Sequence, residues 1–278
     1  MTVLEVLQST TAYFKKRALE SPRLNAENLV AHSLGKKRIE LYLEFERALS
    51  EAELAPLREL VRRRGQGEPL QHLLGTVEFA QHVFVTDKRA LIPRPETEQL
   101  VEYLCDFPWP ENPRMLDVGT GSGVIALSLA ARFPNAELHA VDLSADALAL
   151  ARENAGRLGI PDRIRFGQGH LLEPAEGTFD LIVANLPYVA ASEAAQLAPE
   201  ARHDPPIALY GGPTGDELIR ELIATAPPQL QPGGRLALEI GIDQESALCH
   251  FLVAKNYHDI CSKKDYAGIP RFLFARHG

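Results

Sequence analysis

The first 75 residues place apolar side chains at the spacing of an α-helix. One face of a predicted helix carries Val3, Leu4, Leu7 and Phe14, and the segment NAENLVAHSLG repeats the pattern. Runs of β-branched residues are scarce here, and glycines follow the periodic segments where helices would end. The pattern predicts a small helical domain over residues 1–75.

The stretch that follows has a different pattern. Short stretches rich in valine and phenylalanine lie on both sides of a short break, and two prolines then exclude regular structure. The apolar residues are Val77, Phe79, Val83 and Val85, and the prolines are Pro93 and Pro95. We therefore expect a β-hairpin and a linker over residues 76–95, joining two domains.

Strand-like and helix-like segments alternate over residues 96–278. The strand-like segments are RMLDVG, ELHAVDL, IRFGQG, FDLIVAN, RLALEIG, YHDICS and RFLFAR. Strands separated by helices predict an α/β fold, a doubly wound and mostly parallel seven-stranded sheet of Rossmann-like arrangement. No helical pattern separates the last two strands, so they should form an antiparallel hairpin at one sheet edge.

Charge is distributed unevenly along the 278 residues, whose formal net charge is −8. Residues 1–75 carry 12 basic and 10 acidic side chains, whereas the remainder carries 17 basic and 27 acidic ones. Binding along a nucleic-acid backbone draws on clustered lysine and arginine. The acidic larger domain therefore argues against a nucleic-acid partner.

Three further features bear on the cellular compartment. The cysteines Cys105, Cys249 and Cys261 are odd in number and lack the spacing of metal ligands. The chain start lacks the basic-then-apolar order of a secretory signal, and no apolar run approaches the roughly 20 residues that span a bilayer. We expect a cytoplasmic protein with free thiols, no bound metal and no membrane contact.

A glycine loop follows the first predicted strand of the sheet, in the segment DVGTGSG. A strand, a glycine turn and a helix let the backbone approach a ligand closely, and Asp142 ends the next strand, where a carboxylate can bind a ribose. The G-x-G-x-G spacing differs from the G-x-G-x-x-G that seats a pyrophosphate. Asp117, directly before the loop, would repel a phosphate and suit an ammonium or sulfonium group. S-adenosylmethionine fits these features better than NAD.

A polar residue also ends the predicted strand FDLIVAN, and the chain continues as Leu-Pro-Tyr. The side-chain oxygen of Asn185 and the carbonyl of Leu186 can each accept one N–H of a planar amide or amine. Pro187 fixes the turn, and Tyr188 offers a flat face for a planar substrate. An ordinary strand-ending turn with a surface tyrosine is the alternative interpretation.

Together these motifs resemble those of class I S-adenosylmethionine-dependent methyltransferases. NLPY is similar to their N-P-P-Y-type motif, which acts on planar nitrogens of adenine, cytosine or glutamine. Leu186 replaces the first proline of that motif, but the backbone carbonyl is retained. The turn loses some rigidity by this change.

Other segments narrow the resemblance to one family. GEPLQHLLGTVEF, LIPRPETEQLVEYL and HDPPIALYGGPTGDELIRELI are similar to the bacterial release-factor N(5)-glutamine methyltransferases, the HemK or PrmC family. The resemblance implies methylation of the glutamine in the Gly-Gly-Gln motif of class I peptide chain release factors, and thereby an effect on translation termination. It implies a protein partner bound by the helical domain, no direct nucleic acid and no membrane. A monomer is expected.

The resemblance also implies roles for individual residues. The cofactor would contact the glycine loop, Asp142, Asn185 and the residue at position 170, where His170 stands in place of the expected acid. The loop residues are Gly119, Thr120, Gly121, Ser122 and Gly123. The PRPETE segment, with Arg94 and Glu96, would fold over the active site and help to bind the substrate, the alternative being an ion pair between these two residues.

Three other functions remain open at this point. A nucleic-acid adenine-N6 methyltransferase shares the loop and the N-x-P-Y motif, but it must also grip a backbone and present a flipped base. An NAD-dependent oxidoreductase gives the NLPY residues no role. A binding module that retains the fold as a scaffold would tolerate the loss of Asn185.

Overall fold

Five helices account for most of the first 75 residues in the computed structural model, which describes residues 1–278. They are α1 (Val3–Lys16), α2 (Pro22–Ser33), α3 (Arg38–Leu41), α4 (Glu51–Gly65) and α5 (Leu70–Leu74). The start of α1 is capped reciprocally, because Thr2 Oγ1 accepts from the Glu5 N–H while the Glu5 carboxylate accepts from the Thr2 N–H. The helical character predicted for this region is confirmed.

These helices form one of two compact units of the chain. This helical unit comprises Met1–Gly75 together with Ala198–His203. Its core contains Leu7, Phe14, Leu29, Leu41 and Leu57, all nearly inaccessible to solvent. Arg64 at the end of α4 is buried with them, hydrogen-bonded to Asn25 and paired with Glu200.

The larger unit comprises Thr76–Leu197 and Asp204–Gly278. Its helices are α6 (Pro95–Cys105), α7 (Val124–Arg132), α8 (Ala145–Arg157), α9 (Glu217–Thr225) and α10 (Glu245–Ala254). Its strands are β1 (Thr76–Phe79), β2 (His82–Val85), β3 (Arg114–Val118), β4 (Glu137–Asp142), β5 (Ile164–Gln168), β6 (Phe179–Asn185), β7 (Val189–Ala190), β8 (Tyr210–Gly212), β9 (Leu230–Glu239), β10 (Tyr257–Lys264) and β11 (Pro270–His277). None of the helices of either unit has the length and apolar character that crossing a bilayer requires.

Seven of the strands form one sheet in the order β10-β11-β9-β6-β3-β4-β5. All neighbouring pairs from β9 to β5 are parallel, whereas β11 runs antiparallel to both β9 and β10. The doubly wound sheet, the antiparallel hairpin at its edge and the position of FDLIVAN beside the first strand are therefore confirmed. The short strands β7 and β8 pair separately.

Helices cover the sheet on both faces, because side chains alternate along each strand. Ile182 and Ala184 of β6 pack in a core with residues of α9 and α10. Leu181 and Val183 of the same strand pack in a second core with residues of α6, α7 and α8. A strand that is buried on both faces consists of consecutive apolar residues, which explains the segment LIVA before Asn185 in β6.

The hairpin of β1 and β2 is fixed to this unit by one buried amide. Asn154 of α8 accepts from the Val85 N–H at 2.7 Å, and its Nδ2 donates to the carbonyls of Val85 at 3.2 Å and Ser122 at 2.9 Å. Its side chain is 1% exposed. One side chain thus satisfies three backbone groups in the hairpin and the glycine loop.

Asn154→Ala should lower the free energy of unfolding of the larger unit by about 2–4 kcal/mol, because it leaves buried backbone groups without partners. Urea unfolding followed by the fluorescence of Trp109 measures this, since the only tryptophan lies in that unit. Asn112→Ala, at an exposed position, should change stability by less than about 0.5 kcal/mol. Equal effects of the two substitutions would contradict the role of the Asn154 amide.

Candidate active site

The strand order of the sheet reverses beside β3. From β3 the chain moves outward through β4 and β5, and it then returns on the other side of β3 as β6. Ligands of doubly wound sheets bind beyond the carboxyl ends of the strands at such a reversal. Here those ends carry the glycine loop after β3 and Asn185 at the end of β6.

A cavity occupies this position, with about 1030 Å³ of empty space, open solvent included. The residues predicted for the site that line it are Arg94, Gly119, Thr120, Gly121, Ser122, Asp142, His170, Asn185, Leu186 and Pro187. The predicted residues that are not part of its lining are Glu96, Asp117, Gly123 and Tyr188. The structure therefore brings most of the predicted set together around one space.

The backbone of the glycine loop follows a path that glycine adopts most easily. The angle φ is +72° at Gly119, +56° at Gly121 and +85° at Gly123. A Cβ atom at Gly119 would also lie 2.9 Å from Cδ2 of Leu186 in the turn after β6. The loop thus needs glycine for its conformation and for its close contact with that turn.

Asp117 anchors this loop from behind the cavity wall. One carboxylate oxygen accepts from Thr120 Oγ1 at 2.6 Å and from the Ala126 N–H at 3.1 Å, while the other is buried without a hydrogen-bond partner. Burial raises the pKa of Asp117 to about 7, although both hydrogen bonds oppose the shift. A cationic group near the loop would compensate this buried charge.

Asp142 lies at the end of β4 and connects that strand to the loop. Its two oxygens accept from the Gly121 N–H and the Ser144 N–H, each at 2.8 Å. Burial raises the pKa of this carboxyl, while the backbone hydrogen bonds lower it. Each carboxylate oxygen has a further lone pair, so the group can still accept from the hydroxyls of a ribose.

The side chain of Asn185 is held by a neighbour on α6. Its Nδ2 donates to Thr97 Oγ1 at 2.9 Å, and no protein group donates to its oxygen. Thr97 also lines the cavity, and its hydroxyl donates to Glu239 Oε2 at 2.7 Å. The amide oxygen of Asn185 therefore remains available to a ligand.

Tyr188 is partly buried at the turn after β6. Its hydroxyl lies 3.4 Å from Glu239 Oε1, and the Arg271 guanidinium lies 6.0 Å from the centre of its ring. Burial raises the pKa of the phenol above its ordinary value. The ring packs against the core around α9 and α10 and supports the turn from within.

Arg94 of the PRPETE segment is held by a carboxylate from a distant part of the chain. Arg94 forms its salt bridge with Asp204 at 2.5 Å, and Asp204 also accepts from the Ile92 N–H at 3.1 Å. Asp204 is buried, whereas Arg94 is partly exposed and lines the cavity. The carboxylate that fixes Arg94 at the rim thus lies 110 positions further along the chain. The salt bridge of Arg94 is with Asp204 and not with Glu96.

His170 lies at the cavity wall beyond β5. Its Nε2 is 2.8 Å from Glu221 Oε1 on α9, and its backbone N–H donates to Glu173 at 3.3 Å. A carboxylate is therefore present beside position 170, although it comes from another element of the fold.

Four residues of this region were not identified from the sequence: Thr97, Asp204, Glu221 and Glu239. Glu239 carried a usable signal, because it follows the apolar run Leu-Ala-Leu within RLALEIG in the same way that Asn185 follows the apolar run of FDLIVAN. Thr97 lies inside the PRPETE segment already noted. Asp204 and Glu221 act through tertiary contacts that the local sequence pattern does not predict.

Comparison with solved structures and family models gives the class of protein. A methyltransferase from Pyrococcus furiosus has the same fold, with a TM-score of 0.54 at 23% identity over 70% of this chain and 88% of that chain. The family model described as "Methyltransferase small domain" matches residues 96–201. The larger unit is therefore a class I methyltransferase domain.

Relatives in sequence then identify the family. The model described as "PrmC N-terminal domain" matches residues 5–75. A release factor glutamine methyltransferase from Chlorobaculum tepidum is 39% identical over 284 residues, covering 98% of this chain and 96% of that protein. One from Rhodopirellula baltica is 40% identical over 286 residues, covering 98% and 95%. The chain belongs to the release factor glutamine methyltransferase family, which confirms the resemblance, and its cofactor is S-adenosylmethionine.

The residues in and directly behind the cavity wall fit this cofactor. The unpartnered oxygen of Asp117 suits a cationic ligand, Asp142 has lone pairs for ribose hydroxyls, and the glycine loop permits close approach. The negative charge of the two carboxylates would disfavour a phosphate-bearing cofactor. This argues against NAD.

Asp117→Asn should raise the free energy of unfolding of the larger unit by about 2 kcal/mol more at pH 8 than at pH 5.5, because each unit of pKa shift corresponds to about 1.4 kcal/mol. Burial raises the folded-state pKa of Asp117 from 3.8 to about 7, so the wild type loses stability as pH rises from about 4 to about 7 and no further above that. At pH 5.5 only part of this loss has occurred, so the gain from the neutral amide should be smaller there. Urea unfolding without cofactor at both pH values measures it.

The exposed Asp106 provides a matched control, since Asp106→Asn should leave stability nearly unchanged at both pH values. Equal destabilisation by Asp117→Asn at pH 5.5 and pH 8 would show that the carboxylate contributes only its hydrogen bonds to the loop.

Proposed function

We propose that this enzyme transfers the methyl group of S-adenosylmethionine to the side-chain amide nitrogen of the Gly-Gly-Gln glutamine in class I peptide chain release factors. The observation that carries the proposal is the orientation of Asn185, whose amino group is bound to Thr97 while its oxygen remains available at the strand reversal. The relatives' shared name, release factor glutamine methyltransferase, supports the same substrate.

The chemistry requires activation of a weak nucleophile. The lone pair of an amide nitrogen is delocalised into its carbonyl group. In the proposal, Asn185 Oδ1 and the Leu186 carbonyl each accept one N–H of the substrate, which increases electron density on nitrogen and aims its lone pair. Pro187 fixes the direction of the Leu186 carbonyl through its restricted backbone.

Bound S-adenosylmethionine supplies an electrophilic methyl group on a sulfonium. The protein contributes alignment and fixed dipoles, and no covalent intermediate with a side chain is needed. We assign cofactor binding to Gly119–Gly123 and Asp142, with Asp117 acting through the loop and by its charge. His170, with Glu221 beside it, is assigned to the adenine end of the cavity.

The helical unit is proposed to bind the release factor. The match of residues 5–75 to the family's N-terminal domain model supports a family-specific role for it. A protein substrate also agrees with the charge of the chain, since residues beyond 75 are strongly acidic. We place the enzyme in the cytoplasm with its substrate and expect a monomer, which analytical ultracentrifugation would test.

A nucleic-acid adenine-N6 methyltransferase is the second candidate, because the same two acceptors would suit an exocyclic amine. The absence of a basic strip argues against it. Labelled cofactor offered with release factor or with DNA over a range of salt concentrations distinguishes them, and label on DNA alone would overturn the proposal.

Asn185→Ala should reduce kcat by at least about 100-fold, because it removes one of the two acceptors that align the nitrogen. Cofactor affinity, measured by calorimetry, should change by less than about threefold. Tandem mass spectrometry of the release factor should locate the methyl group of the wild-type reaction on the glutamine.

The exposed Asn112→Ala is the matched control and should leave turnover unchanged. Turnover by Asn185→Ala close to that of wild type would exclude the proposed role of the amide. A methyl group on any other residue of the release factor would exclude the proposed substrate.

A further inference from the structure

A chain of hydrogen bonds runs from the Asn185 amide into the sheet. Asn185 and Glu239 pair in register at the ends of the neighbouring strands β6 and β9. Thr97, in the first turn of α6, bridges them through its hydroxyl, at 2.9 Å from Asn185 Nδ2 and 2.7 Å from Glu239 Oε2. Thr97 is 3% exposed and Glu239 is 1% exposed, so water does not compete for these contacts.

The direction of these bonds determines which end of the amide faces the cavity. An ionised carboxylate only accepts hydrogen bonds, so the single proton of the Thr97 hydroxyl must point to Glu239. Only lone pairs of Thr97 then face Asn185, and the amide must present its amino group to them. Its oxygen is left to face the ligand.

We propose that Thr97 and Glu239 are positioning residues of the transfer reaction, which together hold the Asn185 amide with its oxygen toward the substrate nitrogen. The inference rests on the proposed function, since it concerns how the same amide accepts from the glutamine. In the reversed orientation the amino group of Asn185 would face the amino group of the substrate amide, and the substrate would lose Asn185 Oδ1 as a hydrogen-bond acceptor.

Protonation of Glu239 would release this constraint. A neutral carboxyl group can donate to Thr97, whose own proton is then free to turn toward Asn185. The charged or titratable groups around Glu239 are Tyr188 after β6, Arg271 on β11 and Glu96 on α6. Burial raises the pKa of Glu239 to about 7, against the lowering effects of the Thr97 hydrogen bond and of Arg271. The oriented state is therefore favoured above about pH 7 and weakens as pH falls.

Arg271 does not neutralise this carboxylate directly. Its guanidinium pairs with Asp265 at 3.4 Å and donates to the Ile240 carbonyl at 3.2 Å. The hydrogen bonds to Glu239 come instead from the hydroxyls of Thr97 and Tyr188. The hydrogen bonds that connect Glu239 to Asn185 therefore come from neutral donors, and a substitution that removes one hydroxyl group can break the connection.

The test compares threonine variants at saturating cofactor and release factor. Thr97→Val should lower kcat at least about tenfold while the cofactor Kd changes little, and Thr97→Ser, which restores a hydroxyl, should recover most of the loss. Thr86→Val is the matched control, because Thr86 is equally buried but its hydroxyl has no hydrogen-bond partner. It should not reproduce the effect.

A second variant tests the carboxylate independently. Wild-type kcat at saturating cofactor should fall as pH drops below the pKa of about 7 and level off at a loss of about tenfold, the loss expected for Thr97→Val, whereas Glu239→Gln should have a lower kcat at pH 8 and a flatter profile than wild type. Wild-type turnover in Thr97→Val, equal losses in the serine and valine variants, or an unchanged pH profile in Glu239→Gln would each overturn the inference. Failure of wild type to methylate the release factor would instead overturn the proposed function.

Discussion

The register between β3 and β6 is the constraint on which the cleft depends. Leu116 pairs with Ile182 and Val118 with Ala184, so both strands end at the same level of the sheet. A shift of one residue would turn every side chain of β6 to the opposite face and would move Asn185 away from Thr97. The polar residues at the two ends of the apolar run oppose such a shift, since Asp180 accepts from the Arg114 N–H of β3 at 2.8 Å and Asn185 donates to Thr97, and a shift would break both contacts.

The site is also a concentration of buried negative charge. Burial raises the pKa of Asp117, Asp142 and Glu239, which all lie at or next to the carboxyl ends of parallel strands. Each carboxylate is held by hydrogen bonds from neighbouring backbone or hydroxyl groups, so its orientation is fixed before a ligand arrives. Burying these carboxylates therefore lowers the stability of the folded protein. A cationic ligand can offset this loss, which is the consequence of holding the polar groups of the cleft in place before the ligand binds.

The sequence predicted most of the fold because local patterns and global architecture agree. Alternating strands and helices specify the doubly wound sheet, and the lack of a helix between β10 and β11 specifies its antiparallel edge. The glycine loop and Asn185 were predictable for the same reason, since each immediately follows a buried strand. The partners of those groups were not, because the contact between Arg94 and Asp204 joins residues far apart in the chain. The packing of the Tyr188 ring against the core around α9 and α10 was likewise not predictable from its place after Pro187, because it depends on helices later in the chain.

The contact between Gly119 and Leu186 has a consequence for how this protein can change during evolution. A Cβ atom at position 119 would lie 2.9 Å from the end of the Leu186 side chain, so the cofactor loop and the substrate turn share one packing space. Replacement of Leu186 by a more compact residue would relieve crowding around the loop, whereas a bulkier one would press on it. Because the backbone at position 119 also requires glycine, the loop can answer a change of size at position 186 only by moving, and a new substrate preference acquired at the turn would be inherited together with an adjustment in the loop.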